Sequence, residues 1–247
     1  MSGDQRFCAV VPTFDNPRTI RGVVEQLRAH GLPVIVVDDG SGAEGRAACA
    51  GLATDGLATV HHHPRNGGKG AAVKSGFRIA RELGCTHALQ VDADGQHDLS
   101  RVPAFLAASR ENPAALVLGY PQYDESAPRV RRHARAITDF WVGVEVGKGR
   151  IRDAMIGFRV YPLAAVAKLP RIGDRMDFDI EVAVRLVLAG TPTVNLPVAV
   201  RYLSAAEGGI SHFRPLRDNL RFCWLHSRLC TAASFRFVWR LLTGGRR

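Results

Sequence analysis

The chain has 247 residues, enough for one sizeable domain, and its 46% hydrophobic content is typical of a globular core. The five cysteines are scattered and include no Cys-x-x-Cys pair, which argues against a disulfide framework and a zinc site. No apolar run reaches about 18 residues, which argues against a helix that spans a membrane. The formal net charge of +10 indicates a negatively charged partner.

The first half of the chain alternates apolar, strand-like runs with helix-like segments. This alternation predicts an α/β fold with a Rossmann-like, largely parallel sheet that helices cover on both faces. The predicted strands are Phe7–Pro12, Pro33–Asp38, Ala58–His62, His87–Val91 and Ala115–Gly119. The predicted helices are Pro17–His30, Glu44–Leu52, Lys69–Leu83 and Arg101–Glu111. Ligands of such sheets bind beyond the carboxyl ends of the strands, so polar residues there are candidates for a site.

Two of the predicted strand ends carry paired acidic residues. Asp38 and Asp39 end the second strand, where they either hydrogen-bond a nucleobase or ribose or cap the next helix. Asp92 and Asp94 follow the fourth strand, and carboxylates placed in this way suit Mg²⁺ or Mn²⁺. The alternative for this second pair is a polar Asp-Gly turn.

A glycine-rich segment, Asn66–Gly70, opens the third predicted helix. Its glycines allow the backbone to approach a ligand closely, and a helix start favours anions. The segment lacks residues that a Walker A loop and a dinucleotide-binding loop require, which excludes both motifs. A flexible loop with a solvated lysine is the alternative.

The second half of the chain shows fewer signals. Residues 120–135 are polar and turn-rich and then basic, which predicts a loop leading into a helix whose arginines either hold a phosphate or face solvent. Asp179 and Glu181 open a predicted helix, where one of them acts as general base for an acceptor hydroxyl or both complement the helix N-terminus. The remaining predicted elements are strands at Gly157–Tyr161 and Thr193–Val200 and a helix at Asp179–Leu188.

Residues 214–247 are predicted to form a basic, amphipathic helical tail after a first domain at 1–213. The tail carries eight arginines and one aspartate, or +7 of the net charge. Four of these arginines form one helical stripe: Arg214, Arg217, Arg221 and Arg228. An anionic membrane surface fits this pattern, and packing on the domain is the alternative. No nucleic-acid partner is expected, because no nucleic-acid motif accompanies the charge. The predicted location is cytoplasmic, peripherally on the inner membrane face.

Taken in order, the motifs of residues 6–213 resemble those of the family 2 glycosyltransferases with the GT-A fold. The resemblance is closest to the branch of dolichol- or polyprenyl-phosphate sugar synthases. The segments that carry it are Val10–Asp15, Val36–Ser41, Asn66–Gly70, Val91–His97, Asp153–Arg159 and Phe178–Glu181. The resemblance implies a UDP- or GDP-linked sugar donor and a divalent metal, Mg²⁺ or Mn²⁺.

The resemblance also implies roles for individual residues. The residues implied at the nucleoside are Pro12, Thr13, Asp15 and Asp38 or Asp39, with Lys69 near the nucleotide. The residues implied at the diphosphate and metal are Asp92 and Asp94, with Gln96 as a metal neighbour. Arg132 or Arg135 is implied to grip a phosphate, and Ser211 lies in a segment that resembles the family's acceptor region.

These features predict an inverting, metal-dependent glycosyltransferase that uses Asp94 and acts on a membrane lipid, with a polyprenyl phosphate as the first choice of acceptor. An acceptor phosphate needs no base, whereas a lipid or glycan hydroxyl would need Asp179 or Glu181. A sugar-phosphate nucleotidyltransferase ranks lower, because Pro12–Asp15 is not the basic, Gly-rich loop that it would require. The non-enzyme alternative is a basic membrane-binding protein whose carboxylates only cap helices.

Overall fold

The computed structural model describes residues 5–123, 129–201, 218 and 220–231; of residues 123 and 129–134 it describes the backbone alone. The strands are β1 Phe7–Thr13, β2 Val34–Asp38, β3 Thr59–His62, β4 His87–Gln90, β5 Leu116–Tyr123, β6 Arg159–Pro162 and β7 Thr193–Val200. The helices are α1 Ile20–Ala29, α2 Ala43–Thr54, α3 Lys69–Glu82, α4 Val102–Glu111, α5 Arg129–Val146, α6 Leu163–Val166, α7 Phe178–Leu188 and α8 at 220–231.

The seven strands form one mostly parallel sheet in the order β3-β2-β1-β4-β6-β5-β7. Only β6 runs antiparallel to its neighbours β4 and β5. Arg159 at the start of β6 pairs with Gln90 at the end of β4, so the residues just before β6 lie beyond the carboxyl end of β4. The reversed strand therefore brings residues 153–158 to the edge of the sheet where Asp92 and Asp94 follow β4.

Helices cover both faces of the sheet, as the unbroken apolar strands predict. Along β1, Cys8 and Val10 face one core, which contains side chains of α3, α5 and α7. Ala9 and Val11 face the other core, which contains side chains of α1 and α4. The α/β fold with helices on both faces is confirmed.

Residues 120–123 differ from the sequence-based prediction of a loop, because they continue β5. The strand pairs with β7 along its whole length, from Leu116 opposite Thr193 to Tyr123 opposite Val200. This ladder of backbone hydrogen bonds outweighs the local turn signals of the segment. The helix predicted to follow is present as α5.

The tail prediction is only partly within the described residues, since the boundary between 213 and 214 lies outside them. Beyond it, Phe222, Leu225 and Leu229 of α8 are buried in the core that contains α5 and α7. Leu220 and Trp224 on the same helix are exposed. The apolar side of α8 thus packs on the domain. Within the described ranges, no helix has the length and apolar character needed to span a bilayer.

Candidate active site

The residues predicted at the nucleoside meet where β1 and β2 end. Thr13 lies opposite Asp38 in the sheet, directly after Pro12, and the Asp39 N–H donates to the Thr13 carbonyl at 2.8 Å. Asp15 accepts a hydrogen bond of 2.8 Å from the Gly42 N–H and so joins the two loops. Asp15 has a left-handed backbone with φ of 52°, which its short polar side chain tolerates better than most.

Both carboxylate oxygens of Asp38 have partners. One accepts from the Ser41 N–H at 2.9 Å, and the other lies 2.7 Å from Nδ1 of His62. Burial would raise the pKa of Asp38, but the bonds from Ser41 and His62 outweigh it and hold the pKa below its ordinary value. Asp38 therefore stays ionised and fixes the loop that follows β2.

Asp39 ties the glycine-rich segment to the end of β2. Its Oδ1 accepts from the Gly67 N–H at 2.9 Å, and its Oδ2 accepts from the Gly68 N–H at 2.7 Å. Nδ1 of His63 lies 2.7 Å from the same Oδ1. His62 and His63 thus each bind a different aspartate, a role that the sequence analysis did not predict. The contact of Asp38 or Asp39 with a base or ribose stays a prediction.

Lys69 connects two carboxylates that come from distant parts of the chain. Its Nζ lies 2.7 Å from Oδ1 of Asp92, after β4, and 2.7 Å from Oδ2 of Asp179, on α7. Burial would lower the pKa of Lys69, but these two carboxylates raise it above its ordinary value. Gln90 donates to the other oxygen of Asp179 at 2.9 Å. Lys69 is therefore a charged link between the sheet edge and α7.

Two glycines bring the start of α3 close enough for this link. A Cβ at Gly68 would lie 2.4 Å from the Asp174 carbonyl oxygen, and one at Gly70 would lie 2.7 Å from that of Gly173. Gly68 also has φ of 104°, which side chains other than glycine rarely adopt. The glycines thus let α3 begin directly against the segment that precedes α7, and Lys69 between them reaches Asp179.

Asp92 and Asp94 form a pair of carboxylates beyond β4, as predicted. Burial would raise the pKa of Asp92, but Lys69 lowers it below its ordinary value. Burial raises the pKa of Asp94, and the neighbouring Asp92 raises it further. Asp94 Oδ1 accepts from the Gln96 N–H at 3.0 Å, which folds the loop and brings Gln96 next to the pair. A cation placed here would relieve the repulsion between the carboxylates.

Asp92, Asp94 and Gln96 supply too few ligands for a magnesium or manganese ion, so water or a substrate phosphate would have to complete its coordination shell. Nowhere in the described ranges do three His, Cys, Asp or Glu side chains form a metal-binding group. Mg²⁺ sites in proteins commonly use one or two carboxylates and complete the shell with water and substrate phosphates. Asp92, Asp94 and Gln96 match that pattern.

The two predicted bases on α7 are both buried. Glu181 places Oε1 2.6 Å from a guanidinium nitrogen of Arg185, and its Oε2 accepts from the Gly173 N–H at 2.8 Å. Asp179 has Lys69 and Gln90 as partners of its two oxygens. Neither carboxylate therefore presents an oxygen that lacks a partner.

Arg159 and His97 are residues that the sequence analysis did not assign. Arg159 is fully buried, and its Nη1 donates to the Asp179 carbonyl at 2.5 Å. Its Nε and Nη2, and Nδ1 of His97, have no hydrogen-bond partner among the described residues. Arg159 is the last residue of the motif Asp153–Arg159, and this motif could have identified Arg159 as a residue of the site.

Arg135 on α5 forms an ion pair with Asp153 in the segment that leads to β6. Asp153 also accepts hydrogen bonds from the Met155 and Ile156 N–H groups at 2.8 and 2.7 Å. The pair therefore connects α5 to the same segment that packs on Asp92. The side chain of Arg132 and the whole of Ser211 lie outside the described residues.

We expect Gly157→Ala to disturb this site. A Cβ at Gly157 would lie 2.3 Å from both carboxylate oxygens of Asp92. Asp92 would have to move away from Lys69, and overpacking of this kind lowers the free energy of unfolding by about 1–3 kcal/mol. Urea denaturation measures the change.

The matched control is Gly143→Ala, because a Cβ at Gly143 on α5 would have nothing within 4 Å. We expect that variant to be as stable as the unmodified chain, or more stable by up to about 1 kcal/mol, since alanine favours a helix. Equal stability of the two variants would contradict the close packing of Gly157 on Asp92.

Asp139 makes the stability of the folded chain depend on pH. Burial and the nearby Asp153 carboxylate raise its pKa to about 7, against the opposing effect of Arg135. In the unfolded chain the group titrates near pH 3.9. Between about pH 4 and about pH 7 the folded chain keeps a proton that the unfolded chain has released, so stability from this group falls as the pH rises.

We therefore expect Asp139→Asn to flatten the fall in the urea midpoint between about pH 4 and about pH 7. The comparison is made with the unmodified chain and with Asp55→Asn, whose aspartate pairs with Arg21 at the surface. An unchanged slope in Asp139→Asn would show that the carboxyl group of Asp139 titrates normally.

Known proteins match this chain in sequence and in fold. Residues 8–168 match the family described as glycosyl transferase family 2. Polyprenol monophosphomannose synthase of Mycolicibacterium smegmatis is 27% identical over 213 residues, which cover 78% of this chain and 77% of that protein. Undecaprenyl-phosphate mannosyltransferase of Micrococcus luteus is 33% identical over 118 residues, covering 46% of this chain and 47% of that protein.

Among solved structures, glucosyl-3-phosphoglycerate synthase from Mycobacterium tuberculosis is similar in two complexes. The complex with phosphoglyceric acid has a TM-score of 0.67 at 17% identity and covers 92% of this chain and 80% of that one. The complex with Mn²⁺ and UDP-glucose has a TM-score of 0.64 at 18% identity and covers 88% and 75%. The fold is GT-A, and the chain belongs to glycosyl transferase family 2: it is a glycosyltransferase.

Proposed function

We propose that the protein transfers a sugar, with inversion, from a UDP- or GDP-linked donor to a polyprenyl phosphate. The observation that carries this proposal is the state of the two carboxylates on α7. Asp179 and Glu181 are buried, and each has a partner at both oxygens. An acceptor that is already an anion needs no proton removed, so it suits a site in which both candidate bases on α7 are engaged.

The donor's diphosphate is proposed to bind beyond β4. Asp92, Asp94 and Gln96 would hold a divalent metal, which offsets the negative charge that develops on the departing nucleoside diphosphate. A structural neighbour with Mn²⁺ and UDP-glucose bound supports this choice of ligand class. The nucleoside would lie against Pro12–Asp15 and the end of β2.

Lys69 is proposed to prepare the donor site rather than to move a proton. It keeps Asp92 ionised through a contact of 2.7 Å and holds Asp179 in the same way. A largely buried cation between two carboxylates is stable only while both stay charged and close. Lys69 therefore fixes the position of Asp92 before a ligand binds, which lowers the reorganisation needed at the reacting centre.

The acceptor phosphate is proposed to bind on the side of α5. Arg135 is ion-paired with Asp153 and so has a fixed position near the segment that packs on Asp92. Guanidinium groups bind phosphate through parallel hydrogen bonds, and Arg132 and Ser211 are proposed as further contacts. From this side an acceptor oxygen would attack the anomeric carbon opposite the leaving diphosphate, which inverts the configuration.

A lipid acceptor implies that the enzyme acts at a membrane surface, because a polyprenyl chain stays in the bilayer. Two relatives support a lipid-phosphate acceptor by their names, polyprenol monophosphomannose synthase and undecaprenyl-phosphate mannosyltransferase. We therefore propose a cytoplasmic location with peripheral attachment to the inner face of a membrane.

The donor site is tested by thermal unfolding with UDP or GDP, each with and without Mn²⁺. We expect one nucleotide to raise the melting temperature in a metal-dependent way, since a ligand at about 100 times its Kd stabilises the folded chain by about 2.7 kcal/mol. In Asp94→Asn the metal-dependent part should disappear, and sugar transfer should fall at least about a hundredfold.

The matched control for Asp94→Asn is Asp98→Asn. Asp98 accepts from the Ser100 N–H at 3.0 Å, and asparagine keeps that capping bond. This control should bind nucleotide and metal as the unmodified chain does. Full transfer activity in Asp94→Asn would overturn the metal assignment, and no nucleotide effect in any of these proteins would contradict the proposed UDP- or GDP-linked donor.

A further inference from the structure

Helix α5 has two different faces. Its inner face is buried and consists of Thr138, Val142, Glu145 and Val146. Its outer stripe consists of four large apolar side chains: Ile137 at 63% exposure, Phe140 at 64%, Trp141 at 41% and Val144 at 57%. These positions recur at the spacing that places residues on one side of a helix. The outer stripe of α5 is thus an apolar surface turned to solvent.

The exposure of large apolar side chains is concentrated in one region. Seven such side chains are exposed among the described residues, and six of them lie on α5 and α8; the seventh is Leu83. Phe140 and Trp141 also contact each other edge to face, with ring centroids 5.5 Å apart. Contiguous exposed apolar surface marks an interaction site, whereas a single exposed residue such as Leu83 does not.

Positive charge flanks the outer stripe at both ends. The first seven residues of α5 include four arginines, and exposed Lys148 and Arg150 follow its last turn. Of the two acidic residues of α5, Glu145 is buried and bonded to His226, and Asp139 is half-buried with a raised pKa. A second copy of the chain would bring like charges together, whereas an anionic lipid surface complements them.

Helix α8 lies beside α5 and does not cover the outer stripe. Nδ1 of His226 on α8 lies 2.7 Å from Oε1 of Glu145, on the inner side of α5. The apolar side chains Phe222, Leu225 and Leu229 of α8 are buried in the core. The described part of the predicted amphipathic tail therefore contributes its apolar face to the domain, and α5 supplies the larger apolar surface that is left exposed.

We propose that the outer stripe of α5 is the surface that contacts the membrane, with Phe140 and Trp141 at the level of the lipid headgroups and an anionic bilayer as the partner. This inference rests on the proposed function, because a polyprenyl phosphate is presented by a bilayer. Arg135 lies on the same helix, five residues before Phe140 and on the inner side where it pairs with Asp153, so one helix carries both the proposed phosphate contact and the proposed membrane contact.

The test is vesicle binding by the full chain. We expect it to bind vesicles that contain phosphatidylglycerol and to bind phosphatidylcholine vesicles much more weakly. The double substitution Phe140→Ser and Val144→Ser should weaken binding to the anionic vesicles about tenfold or more, because it removes buried apolar area at the interface. Leu83→Ser, which changes a similarly exposed residue elsewhere, should bind as the unmodified chain does.

Tryptophan fluorescence gives an independent reading of the same contact. The chain has three tryptophans, at positions 141, 224 and 239. With Trp224→Phe and Trp239→Phe, the emission of Trp141 should shift to shorter wavelength when phosphatidylglycerol vesicles are added. No shift together with unchanged vesicle binding in the double variant would overturn the proposal. A dimer in solution that the double variant abolishes would overturn it too, since a second copy would then cover the stripe.

A short-chain isoprenyl phosphate separates this inference from the proposed function, because it is soluble without vesicles. The double variant should transfer sugar to it at the rate of the unmodified chain. If the unmodified chain binds vesicles through the stripe but transfers no sugar to this acceptor, the surface is supported and the acceptor class is wrong. If transfer proceeds and the double variant binds vesicles normally, the acceptor class is supported and the surface is wrong.

Discussion

The largely buried charge of Lys69 is the constraint on which the site depends. A lysine largely removed from water stays ionised only beside compensating negative charge, and here Asp92 and Asp179 supply it at 2.7 Å each. These three residues come from the start of α3, the loop after β4 and the start of α7. Gly68 and Gly70 permit the close packing that this contact needs. Arg159 donates a hydrogen bond to the Asp179 carbonyl and so fixes the backbone at the start of α7.

The acidic residues of the site have different roles in this arrangement. Asp179 and Glu181 hold cations and backbone groups in place, while Asp94 keeps a carboxylate whose pKa burial and Asp92 raise. A cation bound there would relieve the repulsion at Asp94, which agrees with its proposed role at the diphosphate. The ion pair of Arg135 with Asp153 fixes a guanidinium group beside the segment before β6.

The sequence allowed the strands and the acidic strand ends to be predicted, because each is a local pattern. Apolar runs such as Val34–Asp38 are nearly continuous, and the carboxyl ends of parallel strands meet at one edge. That reasoning correctly brought Asp38, Asp39, Asp92 and Asp94 to that edge. The resemblance to family 2 glycosyltransferases, carried by an ordered set of motifs, correctly gave the family.

Contacts between distant segments could not be predicted in the same way. The pairing of Lys69 with Asp179 joins residues 110 positions apart, and no local pattern encodes it. The antiparallel direction of β6, which brings Gly157 against Asp92, depends on the whole sheet. The sequence favoured a membrane surface over the domain as the partner of the tail, and no local pattern predicted that the described part of α8 packs against α5 and α7.

The most direct test of this account compares two acceptors that differ in one group. Labelled sugar transfer is measured from UDP- and GDP-linked donors to a polyprenyl phosphate and to the polyprenol of the same length, in the same detergent. Because the carboxylates of Asp179 and Glu181 are both engaged, we expect product from the phosphate and only background from the alcohol. Equal transfer to the alcohol would contradict it, because the chain would then have to supply a base.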